Sequence, residues 1–463
     1  MTRRIFLSAL TASGASALGS GLAASVPVRI SINTSRRLNI IPADFIGLGY
    51  EISSVSIPGL LSAQNQRYVQ LVRTLGPSGV IRIGGNTADY ASFAADGPAV
   101  SAPKGTVVTA AGFKQLAGFL DATGWKLIWG LNLGSNDQRQ VLAEAMAVSA
   151  AVKEKLLAFE IGNEPDLFGR GTAHRPSTYN FDDYLREYQS YKAAIRAEFP
   201  NAPFAGPDVA GATNWVSPFA AGEASDLKLL THHYYRQCAG PGATLERLLY
   251  PDPKLVPELE KLKAVSSSSK LPYRICETNS FCGGGQPGVS DTFGAALWVL
   301  DFMFNLASYA CAGVNIETGM NQLGFVSSYS PIADDAAKPA YYGMLAFEHG
   351  SKGQRITADY DSQGINLTAY AVMNGSIPLV TIINKDFTHD AAVELHGLPE
   401  FKTCEAIRLT APSLQSKEKI TLGGASVDSN GKWSATMRET IPGDHTRWTI
   451  QVPMGSAAIL TWR

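Results

Sequence analysis

Two glutamates stand where apolar runs break. In "LLAFEIGNEPDLFG" (156–169) a stretch that reads as a buried strand ends at Gly162-Asn163-Glu164-Pro165. Pro165 has no N–H to give a strand ladder, so the strand stops there and leaves Asn163 and Glu164 at its end. A second run, "YRICETNSFCGGGQPG" (273–288), breaks just past Glu277. One carboxylate at a strand end is ordinary. Two that converge make a chemical pair: one protonates the leaving oxygen of a glycoside, and the other attacks the sugar or activates water.

Convergence requires a scaffold, and the rhythm of the chain supplies one. Eight short apolar runs, at 45–52, 79–85, 126–134, 156–164, 204–210, 227–235, 273–279 and 313–318, alternate with segments of helical periodicity such as 63–76, 109–124, 181–199 and 294–310. That alternation predicts a (β/α)8 barrel, an α/β TIM barrel whose active face lies at the strands' C-terminal ends. A doubly wound open sheet is the alternative. Against it, "GLGYEIS" after the first run keeps Tyr50 and Glu51 where a dinucleotide fingerprint needs glycine. Counting strands, Glu51 ends the first, Glu164 the fourth and Glu277 the seventh. The predicted barrel spans 41–348. From 349 to 463, short alternating runs, "KWSATM" (432–437) among them, predict an antiparallel β-sandwich. The strand at 26–40 has no place in a parallel barrel and is expected to pair with that sandwich.

Bulk composition narrows the function. Lys and Arg number 39 against 40 Asp and Glu, a net charge of −1. No block of like charge appears, which argues against nucleic acid or an anionic membrane as the main partner. Residues 1–25 have the basic start, apolar middle and small-residue end of an export signal, with Thr2-Arg3-Arg4-Ile5-Phe6-Leu7 of the twin-arginine type, so a periplasmic or secreted protein is expected. The five cysteines form no metal-type pair. His232 and His233, with Asp208 and Glu317, could mimic a metal set, but neither a metal nor a cofactor is expected.

The motifs together carry a resemblance. "EIGNEP" at strand four, "ETNS" at strand seven, "RIGGN" at strand two and "HHYY" at strand six are similar to retaining glycosidases with catalytic glutamates on strands four and seven. "RIGGNTADY" and "ETNSFCGGGQP" resemble glycoside hydrolase family 79, the β-glucuronidases and heparanases. The resemblance implies Glu164 as general acid/base, Glu277 as nucleophile and Glu51 on the outer hydroxyls of the terminal sugar. It also implies that the backbone at Gly283 and Gly284 holds a glucuronate carboxylate; three glycines let N–H groups turn inward to an anion. Asn86 fills a position where some relatives carry Thr, and Cys282 one where relatives carry Tyr.

Chemistry assigns the neighbours. Asn163 is placed to bond the sugar 2-OH, Tyr234 to donate to the nucleophile, Arg82 to keep it ionised, and His232 to support them. Cys238 and Cys282 follow strands six and seven, so a disulfide between them would pin the glycine loop. Basic residues past the strand ends are few: Arg170, Arg175 and Arg236. The function expected is a retaining exo-β-glucuronidase acting on a glucuronic-acid-containing glycan or glycoside. The rivals are an endo-acting heparanase-like enzyme, a β-xylosidase or α-arabinofuranosidase of the same clan, and an inactive carbohydrate-binding protein.

Overall fold

The computed structural model describes residues 25–170, 174–319 and 327–463. The expected export signal, 1–25, lies outside the described residues except for Ser25, which opens the first strand.

Strand β1 (Ser25–Ile41) is followed by eight parallel strands: β2 (Ile46–Glu51), β3 (Val80–Gly84), β4 (Lys126–Leu131), β5 (Leu156–Ile161), β6 (Phe204–Val209), β7 (Leu227–Tyr234), β8 (Tyr273–Thr278) and β9 (Val314–Glu317). They close into a barrel, with β9 pairing back to β2 through Val314↔Ile46 and Glu317↔Gly49. Their residues are buried on both faces, which is why these segments read as continuous apolar runs rather than alternating ones. The open-sheet alternative is thereby excluded.

Helices form the outer ring, and their starts are written locally. Asn65, Thr109 and Asp137 each accept a backbone N–H in the first turn of α1 (Gln66–Thr74), α2 (Ala110–Thr123) and α3 (Gln138–Val152). Asn180 and Asp183 make a reciprocal capping box on α4 (Phe181–Glu198). The ring continues with α5 (Thr213–Glu223), the short α6 (Leu245–Leu249), α7 (Leu255–Ser269), α8 (Phe293–Ser308) and α9 (Pro339–Gly350).

The C-terminal domain is a mostly antiparallel sheet around its own core: β10 (Gly353–Tyr360), β11 (Leu367–Asn374), β12 (Ile377–Asn384), β13 (Asp390–His396), β14 (Cys404–Thr410), β15 (Trp448–Val452) and β16 (Ser456–Trp462). Strand β1 lies inside it, antiparallel to β10 (Ile30↔Tyr360) and parallel to β13 (Val28↔Val393). The expected strand at "KWSATM" does not form. Gly423 O takes the N–H of both Thr436 and Met437, and the Trp433 indole donates to the carbonyls of Leu422 and Ala425, so no ladder partner remains. A polar cluster helps to join the domains: Asp301 on α8 accepts from Thr368 Oγ1 (2.6 Å) and Tyr370 Oη (2.7 Å) and pairs with Lys385 Nζ (2.5 Å).

Candidate active site

At the C-terminal face of the barrel the two glutamates do converge. One oxygen each of Glu164 and Glu277 and a ring nitrogen of His233 lie within 4.8 Å of one another. Both carboxylates keep a small opening to solvent, 14% for Glu164 and 11% for Glu277. The backbone is bent to present the first of them. Glu164 sits at φ 51° and Asp208, at the end of β6, at φ 56°. The Glu164 N–H donates to Asp208 O at 3.0 Å. Left-handed backbone is costly for such residues and is held by surrounding contacts.

Beneath them lies Arg82 on β3, fully buried. Its guanidinium donates to Glu277 Oε2 (2.8 Å), Glu160 Oε2 (3.1 Å), Asp208 Oδ2 (2.6 Å) and Asn163 Oδ1 (2.9 Å). The planar five-donor fork suits this task, and a lysine ammonium does not. Space for it comes from Gly84, where a Cβ would stand 2.6 Å from the Arg82 guanidinium carbon. His233 bridges the same group, with Nε2 2.8 Å from Asp208 Oδ1 and Nδ1 3.1 Å from Glu164 Oε1. Burial alone would discharge this imidazole. The charges of Asp208 and Glu277 outweigh it and raise its pKa well above the ordinary value. Asp208 moves the other way: burial opposes its charge, but Arg82 and His233 hold it below the usual carboxylate range. Glu160 is pushed up to about 7, first by burial and then by the charge of Asp208.

Two side chains expected here point elsewhere. The Tyr234 hydroxyl donates to Asp252 (2.6 Å) and its ring stacks on Phe302, outside the barrel. Tyr235 is the donor to Glu277 Oε1, at 3.2 Å. The paired histidines show the same offset. His232 faces α5, with Nε2 3.3 Å from Thr213 Oγ1; burial and the charge of His233 lower its pKa to about 4. Side chains alternate along a strand, so a one-residue error in "HHYY" exchanges inside for outside. The signal that could have fixed that parity is Lys228, the exposed residue near the start of the strand, which shares a face with His232 and Tyr234. The sequence places Asp208 and His233 only in a metal-like set and gives Glu160 no role, because an inward carboxylate on a strand buried on both faces carries no signal of its own.

The rim follows the expected residues more closely. Asn163 is buried, with its oxygen on Arg82 and its backbone N–H on Asp89 Oδ2 (3.0 Å); among the described residues its amide nitrogen has no acceptor and is the available donor. Glu51 accepts the N–H of Asn86 (3.2 Å) and of Thr87 (2.7 Å) and the Thr87 hydroxyl (2.6 Å), so it shapes the "GGNT" turn; the Asn86 side chain is exposed at the mouth. Burial and the charge of Glu277 raise the Glu51 pKa. Glu317 at the end of β9 leaves Oε2 with no partner among the described residues, and burial and Glu277 raise its pKa well above normal. Gly283, Gly284 and Gly285 all have left-handed φ (74°, 86° and 81°). Among the described residues, no acceptor takes the N–H of Gly283 or Gly284.

Arg175 is committed to Glu187 and the carbonyls of Leu133, Gly134 and His174, and Arg236 to those of Tyr250 and Pro251. Among the described residues, two donor sets are compact enough for a metal: Glu160–Asp208–Cys276 and Glu164–His233–Glu277. The guanidinium of Arg82 already bonds two members of the first, and both nitrogens of His233 in the second already face carboxylates.

A barrel with two facing glutamates over a buried arginine defines a glycoside hydrolase acting on O-glycosyl bonds. Residues 369–459 match the glycosyl hydrolase family 79 C-terminal beta domain. A β-glucuronidase of Neurospora crassa is 30% identical over 70% of this chain and 67% of its own. One of Aspergillus niger is 27% identical over 95% of this chain and 93% of its own. The chain belongs to glycoside hydrolase family 79. Its fold is shared with a 4-O-α-L-rhamnosyl-β-D-glucuronidase of Fusarium oxysporum (TM-score 0.78, 20% identity, 93% of this chain and 100% of that one).

Proposed function

We propose that this hydrolase is a retaining, exo-acting β-glucuronidase, with Glu277 as nucleophile and Glu164 as general acid/base. The observation that carries the reading is that one oxygen of Glu164 lies within 4.8 Å of one oxygen of Glu277, with His233 their shared neighbour. Retaining enzymes place the two carboxyl groups about 5–5.5 Å apart, whereas inverting ones leave about 6.5–9.5 Å for a water.

Glu164 gives its proton to the glycosidic oxygen as Glu277 attacks the anomeric carbon, forming a glycosyl ester and freeing the alcohol. Glu164, now a carboxylate, takes a proton from water as the water opens the ester. Arg82 and Tyr235 each hold one oxygen of Glu277, so the attacking lone pair is aimed before substrate arrives. The amide of Asn163 donates to the sugar 2-OH, and Glu51 and Asn86 line the outer side of the sugar. The N–H groups of Gly283 and Gly284 take the uronate carboxylate. The β-glucuronidase names of the relatives support the sugar. The scarcity of free basic side chains at the rim supports single-unit release over internal cutting of sulfated chains. The 1–25 segment is read as an export signal, and a disulfide near the site fits the oxidising compartment to which it would lead.

A panel of 4-nitrophenyl β-glycosides tests the reading. Glucuronide is expected to be hydrolysed far faster than glucoside or xyloside, with free glucuronic acid the only sugar released. Equal or faster xyloside hydrolysis overturns the uronate assignment, and internal cleavage of heparan oligosaccharides overturns the exo assignment.

A further inference from the structure

The active face carries one covalent feature that the chemistry above does not use. Cys238 follows β7 and Cys282 follows β8, and they form a disulfide with Cα atoms 4.2 Å apart. Around it the two segments continue the strand pairing past the barrel. Cys282 N–H donates to Gln237 O (3.0 Å) and Ala239 N–H to Cys282 O (3.1 Å). The bridge therefore sits three residues beyond Tyr235, which holds the nucleophile, and directly before Gly283, to which the proposed function assigns the substrate carboxylate.

The glycines need such an anchor. Three successive residues at positive φ are open to glycine and strained for other types, yet glycine gains this freedom by having the most conformations to lose. Among the described residues the loop is held at few points. Gly284 O accepts from Ser328 N (2.7 Å) and Oγ (3.1 Å), and Gln286 receives the Gly240 N–H on Oε1 (2.9 Å) while giving its own N–H to Ser290 Oγ (2.8 Å). Upstream of the glycines, the covalent tie is the Cys282 sulfur. A backbone that binds an anion only through N–H groups depends on those groups being fixed beforehand, because each charge-assisted bond is lost when its donor turns away.

We propose that the Cys238–Cys282 disulfide is a specificity-determining element: it fixes the Gly283–Gly284 amides in the position that recognises a carboxylate on the sugar. The proposal rests on the glucuronidase reading and extends it, because it assigns uronate selectivity to a bond outside the sugar pocket. It also makes that selectivity sensitive to thiols. Cys238 is exposed and Cys282 half-buried, whereas Cys276, Cys311 and Cys404 are buried free thiols. One thiolate of dithiothreitol attacks the Cys238 sulfur, breaking the S–S bond and releasing the Cys282 thiolate, which takes up a proton. The second thiol of the reagent then displaces Cys238 from the mixed disulfide; the reagent leaves as a cyclic disulfide and both cysteines are reduced.

The test compares kcat and KM for 4-nitrophenyl β-glucuronide and β-glucoside in three forms: oxidised wild type, the C238S/C282S variant, and wild type reduced by dithiothreitol, its fold followed by circular dichroism. The reduced form keeps the test decisive if the double variant fails to fold. Opening the bridge is expected to raise KM for the glucuronide by about tenfold, the share of one charge-assisted hydrogen bond, with a much smaller change in kcat. The glucuronide-to-glucoside ratio of kcat/KM should fall by the same factor. A purely structural bridge lowers the melting temperature and leaves that ratio alone. A ratio within about twofold of oxidised wild type overturns the proposal while the glucuronidase reading stands. No preference for glucuronide in oxidised wild type overturns both.

Discussion

Two arginines are buried inside the same barrel, and their surroundings divide it into two layers. Arg82 on β3 meets carboxylates: Glu160, Asp208 and Glu277. Arg274 on β8, nearer the N-terminal end, meets neutral oxygens: Asn315 Oδ1 (2.7 Å) and the carbonyls of Asp44 (3.1 Å), Phe45 (3.1 Å) and Val314 (3.2 Å). Both fit because glycines beside them omit a side chain, on the same strand for Arg82 and on neighbouring segments for Arg274. Gly84 makes room for Arg82, and Gly47 and Gly313 for Arg274. The electrostatic results are opposite. Burial opposes both charges, but the carboxylates raise the pKa of Arg82, while burial prevails at Arg274 and lowers it. Function therefore resides in the partners and their place along the strands, because the residue type is the same in both layers.

Substitution at the two positions should separate these roles. Arg82→Lys keeps a charge but cannot reach Glu277, Glu160, Asp208 and Asn163 together. A fall in kcat of about 10²–10³-fold is expected, comparable to loss of an electrostatic donor in other active sites. Arg274→Met removes a brace between strand ends. It should cost about 1–3 kcal/mol in chemical denaturation and leave kcat within about threefold of wild type. If Arg274→Met lowers kcat as much as Arg82→Lys, the two-layer division is wrong.

A narrower version of the contrast lies in one dipeptide. Tyr235→Phe removes the hydroxyl that turns Glu277, with an expected loss of about 10–100-fold in kcat. Tyr234→Phe removes a bond to Asp252 outside the barrel, and about 1 kcal/mol of stability is expected to go with nearly unchanged kcat. Steady-state kinetics on both variants checks this, and the reverse ranking would restore the sequence-based assignment.

That assignment shows where sequence information ran out. The barrel was legible because eight apolar runs alternate with helical periodicity. The two glutamates were legible because proline and a polar cluster mark their strand ends. Parity was not legible in "HHYY", whose four residues are all of polar or mixed character; the marker of the outward face is the exposed Lys228, four residues before His232 and six before Tyr234. Asp208 and Glu160 gain their role through Arg82, which stands on β3, far from β5 and β6 in sequence. The Cys238–Cys282 pairing was accessible because strand order alone put both in neighbouring loops.

The smallest effect concerns how many carboxylates Arg82 needs. Glu160 is buried with a pKa of about 7, above the usual carboxylate value, and its Oε1 has no hydrogen-bond partner among the described residues. A raised carboxyl pKa favours the protonated form in the folded state. Its ionisation penalty is therefore absent below the unfolded pKa of about 4.3 and grows as pH rises to about 7. Glu160→Gln keeps an oxygen for Arg82 and cannot ionise. It should match wild type near pH 4.5 and exceed it by about 1–2 kcal/mol above pH 7 in denaturation curves. Equal stability at both pH values would mean that Arg82 needs the third charge.

The central claim is that Glu277 attacks the sugar while Glu164 handles the proton. The most direct measurement is Glu277→Ala assayed on 4-nitrophenyl β-glucuronide with and without sodium azide, the product followed by proton NMR. The methyl group leaves a space beside the anomeric carbon, above Arg82 and Tyr235, in which a small anion can take the nucleophile's place. The variant is expected to be inactive alone and to regain turnover with azide, yielding the α-glucuronosyl azide. Ordinary turnover without azide, or a β-configured azide product, would contradict the assignment.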